Sequence, residues 1–154
     1  MTYRFMVTAF NMEGSTDSPI VSILYAGAPQ QPPTSPMLDQ SNSNDTQITV
    51  VMPLISNTIN GNSSIISYNL EMDDGQGGDF TSVGGYSPIS MVTTYTVTSG
   101  IQRSLTYGFR YRTLNGAGWS PYSDILYAIA ATTPAAPPAP TLDSATGSQI
   151  VLGF

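Results

Sequence analysis

The stretch that decides the fold is YGFRYRTLNGAG, residues 107–118 of a chain of 154 residues. Its aromatic residues Tyr107, Phe109 and Tyr111 occupy every second position. Side chains two positions apart lie on the same face of a β-strand, so this alternation predicts a strand with one apolar face. The Asn-Gly-Ala-Gly sequence at 115–118 then predicts a tight turn into a second strand.

A similar stretch lies near the beginning of the chain, 104 residues earlier. Four pairs of identical residues keep this separation: Tyr3 and Tyr107, Phe5 and Phe109, Asn11 and Asn115, and Gly14 and Gly118. Proline-rich segments and Gln-Ile pairs also recur, at separations of 105 and 102 residues. A repeat of this length exceeds the roughly 20–50 residues of a solenoid unit and is typical of a self-contained domain.

Two proline-rich segments, 29–36 and 134–140, separate the repeats. We predict the end of one repeat in residues 1–28, a complete repeat in 29–133, and the start of a third repeat in 134–154. Proline fixes φ and disfavours helix in the residue before it. The linkers between repeats should therefore be extended and fairly stiff.

Alternating apolar and polar residues predict further short strands in the middle repeat. The apolar positions are Ile48, Val50 and Met52, then Ile66, Tyr68, Leu70 and Met72, then Tyr95 and Val97, and last the run from Ile125 to Ile129. Turn-forming residues separate these runs, and no segment has the period of a helix. Short strands with regular turns predict an all-β protein, either an antiparallel sandwich or a barrel.

The pattern Tyr-x-Phe-x-Tyr-x-Thr-x-Asn-x-x-Gly at 107–118 resembles strand F and the F–G turn of fibronectin type III domains. Asn-Gly at 60–61, followed by Ile-x-Tyr-x-Leu at 66–70, resembles the entry to strand C of that family. The resemblance implies an immunoglobulin-like antiparallel β-sandwich. One departure is Met52, which stands where the family usually carries a strand-B tryptophan.

The resemblance covers the middle repeat completely and the flanking pieces in part. It implies strands F and G in residues 1–28 and strands A and B in residues 134–154. The segments MDDGQGGDF at 72–80 and NGAGWSPYSDILYA at 115–128 are similar to repeats of ciliate cell-surface proteins. A tandem array of such domains is the organisation that the resemblance implies.

Tyr107 receives a structural role from the same resemblance, because it matches the tyrosine corner of the family. Ile101, six residues earlier, is similar to the apolar residue of the E–F loop. The ring of Tyr107 should fill the core while its hydroxyl bonds to the backbone of that loop. A buried hydroxyl without such a partner would cost ~1–3 kcal/mol.

The composition argues against several classes of function. Charged residues make up 9% of the chain, its net charge is −6, and its basic residues are four arginines without any lysine. Nucleic acid is therefore a poor partner, because phosphate binding needs clustered positive charge. Cysteine and histidine are absent, which removes disulfides, thiol chemistry and the usual side chain for proton transfer. With no catalytic motif and no cofactor site, we predict that the chain is not an enzyme.

No run of 18 apolar residues occurs, so nothing in the sequence predicts a membrane span. Met1 is followed by a strand-like pattern instead of the apolar core of a signal peptide. We interpret Met1 as a cut point in a longer chain.

The one acidic cluster is Asp73, Asp74 and Asp79, in the sequence DDGQGGD. Calcium prefers several oxygen ligands from a turn, so this segment is a weak candidate for a calcium site. Asp and Gly are also the ordinary residues of a tight turn between strands. We favour the turn and predict no metal site.

Two sequons for N-linked glycosylation begin at Asn44 and Asn62. Both lie in predicted loops, where an attached glycan would meet water. Such short motifs also arise by chance in a chain rich in Asn, Ser and Thr. For an extracellular array we favour glycosylation.

Trp119, Tyr122 and Tyr127 are candidates for an interface, since aromatic residues near a turn often anchor contacts with a neighbouring domain or subunit. The alternative is that the Trp119 ring lies flat on its own domain. Arg110 and Arg112 alternate with the apolar residues of their strand and should lie on a solvated outer face.

The leading functional hypothesis is a structural, extracellular module of a large tandem-repeat protein of the cell surface or of filaments. Its partners would be neighbouring domains of the same chain and other copies. One alternative is an adhesion or recognition module that binds a protein or glycan through its loops. Another is a passive spacer in a larger secreted enzyme, because fold does not fix function.

Overall fold

A computed structural model describes residues 2–154. The first strands are β1 (Thr2–Phe5), β2 (Thr8–Asn11), β3 (Gly14–Asp17) and β4 (Val21–Leu24). The middle repeat contains β5 (Met37–Leu38), β6 (Ile48–Val51), β7 (Ile65–Met72), β8 (Thr81–Gly84), β9 (Thr94–Val97), β10 (Thr106–Asn115), β11 (Gly118–Trp119) and β12 (Leu126–Ile129). The last strands are β13 (Thr141–Ala145) and β14 (Ile150–Gly153), and one 3-10 helical turn spans Gln40–Asn42.

The middle repeat consists of two antiparallel sheets. One sheet has the order β5-β6-β9. The other has the order β11-β10-β7-β8, and β12 pairs with the first half of β10. The predicted all-β antiparallel sandwich is confirmed, and the barrel is not formed.

The core lies between these sheets and is built from the alternating residues. Buried side chains come from both sheets: Ile48, Val50 and Met52 from one, and Tyr68, Leu70, Tyr107, Phe109, Tyr111, Ala128 and Ala130 from the other. Removing this apolar surface from water is the main force that holds the sandwich together. Met52 is buried at the position of the expected tryptophan.

Ile66 is an exception to the predicted inward set. Its side chain is exposed, although Tyr68 and Leu70 on the same strand are buried. The pairing of β7 with β10 shifts register here, where Leu114 pairs with Ser67 and Asn115 with Ile65. Such a bulge redirects the local side chain away from the regular alternation.

The flanking pieces are two-stranded hairpins. In the first, β1 pairs with β4 and β2 pairs with β3, and in the last, β13 pairs with β14. All residues of strands β1 to β4 are exposed. Within residues 2–154, no helix has the length or apolar character that crossing a membrane requires.

Candidate functional site: the outer sheet face and the repeat junction

Tyr107 ties the end of the sandwich to the loop before it. Its hydroxyl donates to the carbonyl oxygen of Gly100 at 3.0 Å and accepts from the backbone N–H of Gln102 at 2.7 Å. Ile101 lies between these two residues and packs against the core. The ring of Tyr107 is buried while both hydrogen-bonding capacities of its hydroxyl are used.

The carboxylates of the acidic segment serve its turn. Asp73 Oδ1 accepts from the backbone N–H groups of Gly75 at 3.0 Å and of Gly108 at 2.9 Å. Asp74 Oδ1 accepts from Gly78 at 3.0 Å and from Gln76 at 2.9 Å.

The hydrogen bonds that Asp74 accepts from the backbone N–H groups of Gly78 and Gln76 favour its charged form, and they hold its pKa below the usual value. The bond from Gly78 has the larger effect. Among residues 2–154, no three carboxylates lie close enough together to hold a metal ion. Asp79 therefore does not form such a group with Asp73 and Asp74.

The two sequon asparagines lie in loops, as their sequence context indicates. Asn44 is half-buried, and its Oδ1 accepts from the backbone N–H and the hydroxyl of Thr46, each at 2.8 Å. Asn62 is exposed and has a φ of 62°, in the loop between β6 and β7.

The outer face of the larger sheet is covered, contrary to the solvated face that we expected. Glu71 on β7 lies beneath the side chains of β10, and its carboxylate is almost buried. Its Oε2 accepts from Nε of Arg110 at 3.0 Å and from Nη2 at 2.8 Å. Tyr122 Oη donates to Oε1 of Glu71 at 2.6 Å. Burial, together with this hydrogen bond to Glu71, raises the pKa of Tyr122.

Above Glu71, arginines and aromatic rings alternate in an arginine–aromatic stack. It is composed of Phe80, Arg110, Tyr122, Arg112, Trp119 and Tyr86. The guanidinium carbon of Arg110 is 4.1 Å from the ring centre of Phe80 and 3.9 Å from that of Tyr122. The guanidinium carbon of Arg112 is 4.5 Å from the Tyr122 ring and 4.8 Å from the Trp119 ring. The guanidinium carbon of Arg112 also lies 5.3 Å from the Tyr86 ring centre, so Arg110 is attracted by the faces of two rings and Arg112 by those of three.

Trp119 and Tyr122, two of the interface candidates, therefore pack on their own domain. Trp119 stacks on Tyr86 with a separation of 5.7 Å between ring centres. Tyr127, the third candidate, is exposed on β12. Sequence reasoning missed Glu71, Phe80 and Tyr86, and the only available signal was that Glu71 alternates with core residues along β7.

A second constellation, the repeat junction, lies where the first linker meets the middle repeat. We define it by Gly27–Gln30 of the linker, Ile59–Gly61 of the loop between β6 and β7, and Asn115 at the end of β10. The backbone N–H of Gly27 donates to Gly61 O at 3.0 Å, and that of Gln30 donates to Ile59 O at 2.9 Å. Asn115 Nδ2 donates to Gly27 O and to Asn60 O, each at 2.7 Å. The linker is thus attached to the domain by side-chain and backbone bonds.

Solved structures share this architecture. Titin domains A168–A170 match 84% of this chain at 22% sequence identity with a TM-score of 0.66, and the chain spans 41% of that structure. The 6th fibronectin type III domain of human fibronectin type III domain containing protein 3 matches 74% of the chain at 17% identity, with a TM-score of 0.54 and 96% of that domain covered. The twitchin kinase region from C. elegans matches 68% of the chain at 20% identity, with a TM-score of 0.54 and 17% of its length covered.

These similarities establish the fold, which is the immunoglobulin-like antiparallel β-sandwich of fibronectin type III domains. No family model matches the sequence, and no curated protein does. The matched titin and twitchin structures are multidomain chains.

Proposed function

We propose that the chain is a structural module of a large extracellular tandem-repeat protein, belonging to a cell surface or a filament. Residues 29–133 would form one complete domain. Residues 1–28 and 134–154 would belong to the preceding and following domains. In this role the domains act as struts, and the linkers set their relative orientation.

The observation that carries this proposal is the duplicated hairpin. Asn11 pairs with Gly14, and Asn115 pairs with Gly118 at the matching position of the middle repeat. Tyr3 pairs with Ile23, as Tyr107 pairs with Ala128. The partner of Tyr107 lies one residue further along the chain than that of Tyr3, but the turns pair in the same way. Matching turns at both ends of a hundred-residue interval are what one domain type repeated along a chain would produce.

A mechanical role instead of a catalytic one is supported by how the polar groups are used. The carboxylates of Asp73 and Asp74 accept backbone hydrogen bonds of their turn, and that of Glu71 holds Arg110 and Tyr122. These groups stabilise structure and leave no poised acid–base pair among them.

Electron microscopy of the protein from its natural source tests the structural role. We expect thin, extended particles or fibres with a repeating bead, because stiff linkers keep neighbouring sandwiches apart. A compact globular particle would contradict the proposal. An antibody against the middle repeat should also bind intact cells or secreted material, and binding that requires permeabilised cells would overturn the extracellular placement.

Glycosylation at Asn44 and Asn62 is part of the extracellular proposal. Both side chains lie in loops, and Asn62 is exposed next to Gly61 of the repeat junction. Intact mass of the natural protein should show glycan increments that peptide N-glycosidase removes. Asn44→Gln and Asn62→Gln would each remove one increment, whereas the bare polypeptide mass would end this part of the proposal.

A further inference from the structure

We propose that Asn115 is a clamp that docks the linker of the preceding repeat and thereby fixes the angle between consecutive repeats. The inference rests on the tandem arrangement proposed above. It assigns the stiffness of the junction to a specific side chain, in addition to the prolines of the linker.

The side-chain amide of Asn115 joins two separate pieces of chain. Its Nδ2 donates to Gly27 O on the linker and to Asn60 O on the neighbouring loop, both at 2.7 Å. Asn115 is only 2% exposed. Because the amide is buried, water cannot easily replace its short hydrogen bond to the linker, which therefore holds the linker more firmly than a contact at the surface would.

The turn of the hairpin does not by itself explain why residue 115 is asparagine. Asn115 Oδ1 accepts from the backbone N–H groups of Ala117 at 2.8 Å and Gly118 at 3.1 Å. An aspartate could accept the same two bonds, and aspartate is equally common in such turns. Only the amide can also donate to two carbonyl oxygens, so its bonds to the linker and to the neighbouring loop together explain the choice of residue.

The surface around Asn115 is also shaped for the linker. Gly61 has a φ of 71°, and a Cβ placed on it would clash with the carbonyl oxygen of Gly27. A Cβ on Gly116 would lie 3.9 Å from Leu24 Cδ2, and one on Gly118 would lie 3.9 Å from Ala28 Cβ. Gly61 is therefore the position at which the close approach of the linker requires glycine, whereas a Cβ on Gly116 or Gly118 would make an ordinary van der Waals contact with the incoming chain.

The preceding hairpin supplies an internal control. Asn11 matches Asn115, and its Oδ1 accepts from Glu13 N–H at 2.8 Å and Gly14 N–H at 3.1 Å. Its Nδ2 makes no bond within residues 2–154. The two asparagines therefore separate the turn function, which both share, from the linker function, which Asn115 alone performs in this part of the chain.

Amide hydrogen exchange on the 154-residue chain, measured by NMR, tests the clamp. In Asn115→Asp the turn keeps its acceptor, while the linker loses its donor and faces a carboxylate. We expect exchange of the Gly27 and Gln30 amides to accelerate about tenfold. The amide of Tyr111 in the core should keep its protection. The matched variant Asn11→Asp should leave Gly27 and Gln30 unchanged.

A second variant reaches the same linker without altering Asn115. In Gly61→Asn the new residue is one of the side chains that best tolerate a positive φ. Its Cβ would nevertheless clash with the carbonyl oxygen of Gly27 and so displace the linker. Gly77→Asn is the control, because Gly77 has a φ of 81° and nothing within 4 Å of an added Cβ. Faster exchange at Gly27 and Gln30 in Gly61→Asn alone would support docking of the linker on this loop, and Asn115→Asp tests whether the Asn115 amide holds it there.

Unchanged linker exchange in Asn115→Asp, with the core still protected, would overturn the proposal. If Asn115→Asp lost core protection, unchanged exchange of Gly27 and Gln30 in Gly61→Asn would overturn the docking of the linker on this loop, and the proposal with it. These outcomes are distinct from failure of the array: microscopy of the native protein tests the array, whereas exchange tests docking within this chain.

Discussion

The hairpins at residues 2–24 and 106–129 share the pairing at their turns but have opposite surroundings. Tyr3 and Phe5 are 45% and 53% exposed, whereas Tyr107 and Phe109 are 1% and 0% exposed. The second hairpin is covered by the sheet of β5, β6 and β9, and the first has no such sheet among residues 2–154. Local sequence is therefore sufficient to set the hairpin, but burial depends on residues far away in the chain.

The outer faces of the two hairpins differ in a second way. At the separation of 104 residues, the residues of the first hairpin that match Arg110, Arg112, Trp119 and Tyr122 are Met6, Thr8, Ser15 and Ser18. Whereas Arg112 meets Tyr122 in one hairpin, the hydroxyl of Thr8 donates to Asp17 Oδ1 at 2.6 Å in the other. The arginine–aromatic stack is thus a property of the middle repeat and is not required by the hairpin.

The largest expected difference between the hairpins comes from deleting a matched phenylalanine. Phe109→Ala should lower the free energy of unfolding of the middle repeat by about 3–5 kcal/mol, because it leaves a cavity in a close-packed core. Phe5→Ala should leave the same transition nearly unchanged. Urea denaturation followed by fluorescence of Trp119, the single tryptophan, measures both. Equal effects of the two variants would show that the hairpins are equally buried in solution.

Alkaline pH should affect the two hairpins differently. Tyr111 is titratable, whereas Val7, the matching residue of the first hairpin, is not. Burial raises the pKa of Tyr111 from 10.0 to about 12. The folded state therefore holds its phenolic proton longer than the unfolded state does. The stability is complete below about pH 10 and falls by about 2.5 kcal/mol as the pH rises through the folded-state pKa near 12.

Denaturation curves by circular dichroism between about pH 9 and pH 12 measure this loss. In Tyr111→Phe the free energy of unfolding should decline less over this pH range, because the loss that comes from ionisation of Tyr111 is absent. An identical decline in both proteins would assign it to other groups. Tyr3→Phe serves as the exposed control.

A smaller effect is expected from transferring a residue between the hairpins. Arg110→Met places the residue of the first hairpin into the stack and removes the bidentate partner of Glu71. We expect a loss of about 1.5 kcal/mol, at the low end for hydrogen bonds to charged groups, since Arg110 is partly exposed. Urea denaturation gives the value. A neutral result would mean that the stack contributes no stability and that Glu71 is solvated by water after the exchange.

The smallest effect concerns the matched tyrosine hydroxyls. Tyr107→Phe removes the bonds to Gly100 O and Gln102 N–H and should lower stability by about 1 kcal/mol. Tyr3→Phe should have no measurable effect on the same transition. Thermal denaturation of both variants, followed by circular dichroism, makes the comparison. A melting curve of Tyr107→Phe that overlays the parent curve would remove the structural role of this hydroxyl.

Several features followed from the sequence because they depend on neighbouring residues. Alternation at 107–113 predicts the strand, and Asn115 to Gly118 predicts its turn. The duplication at Tyr3 and Phe5 predicts a second copy of the same hairpin. Side-chain direction along a strand and the preference of Asn and Gly for turns act within a few residues, so a linear pattern contains them.

What only the tertiary structure decided are contacts between residues that are distant in the chain. Glu71 and Arg110 are separated by 39 residues, and Asn115 and Gly27 by 88. No pattern of neighbouring residues indicates either pair, because the first depends on the pairing of β7 with β10 and the second on where the linker lies against the domain. The sequence by itself determined an all-β repeat, whereas the folded chain decided which of two matching hairpins is buried, which face the arginines cover, and where the linker is attached. The physical reason is that burial and hydrogen-bond partners are set by packing between elements, which the alternation within a single strand does not specify.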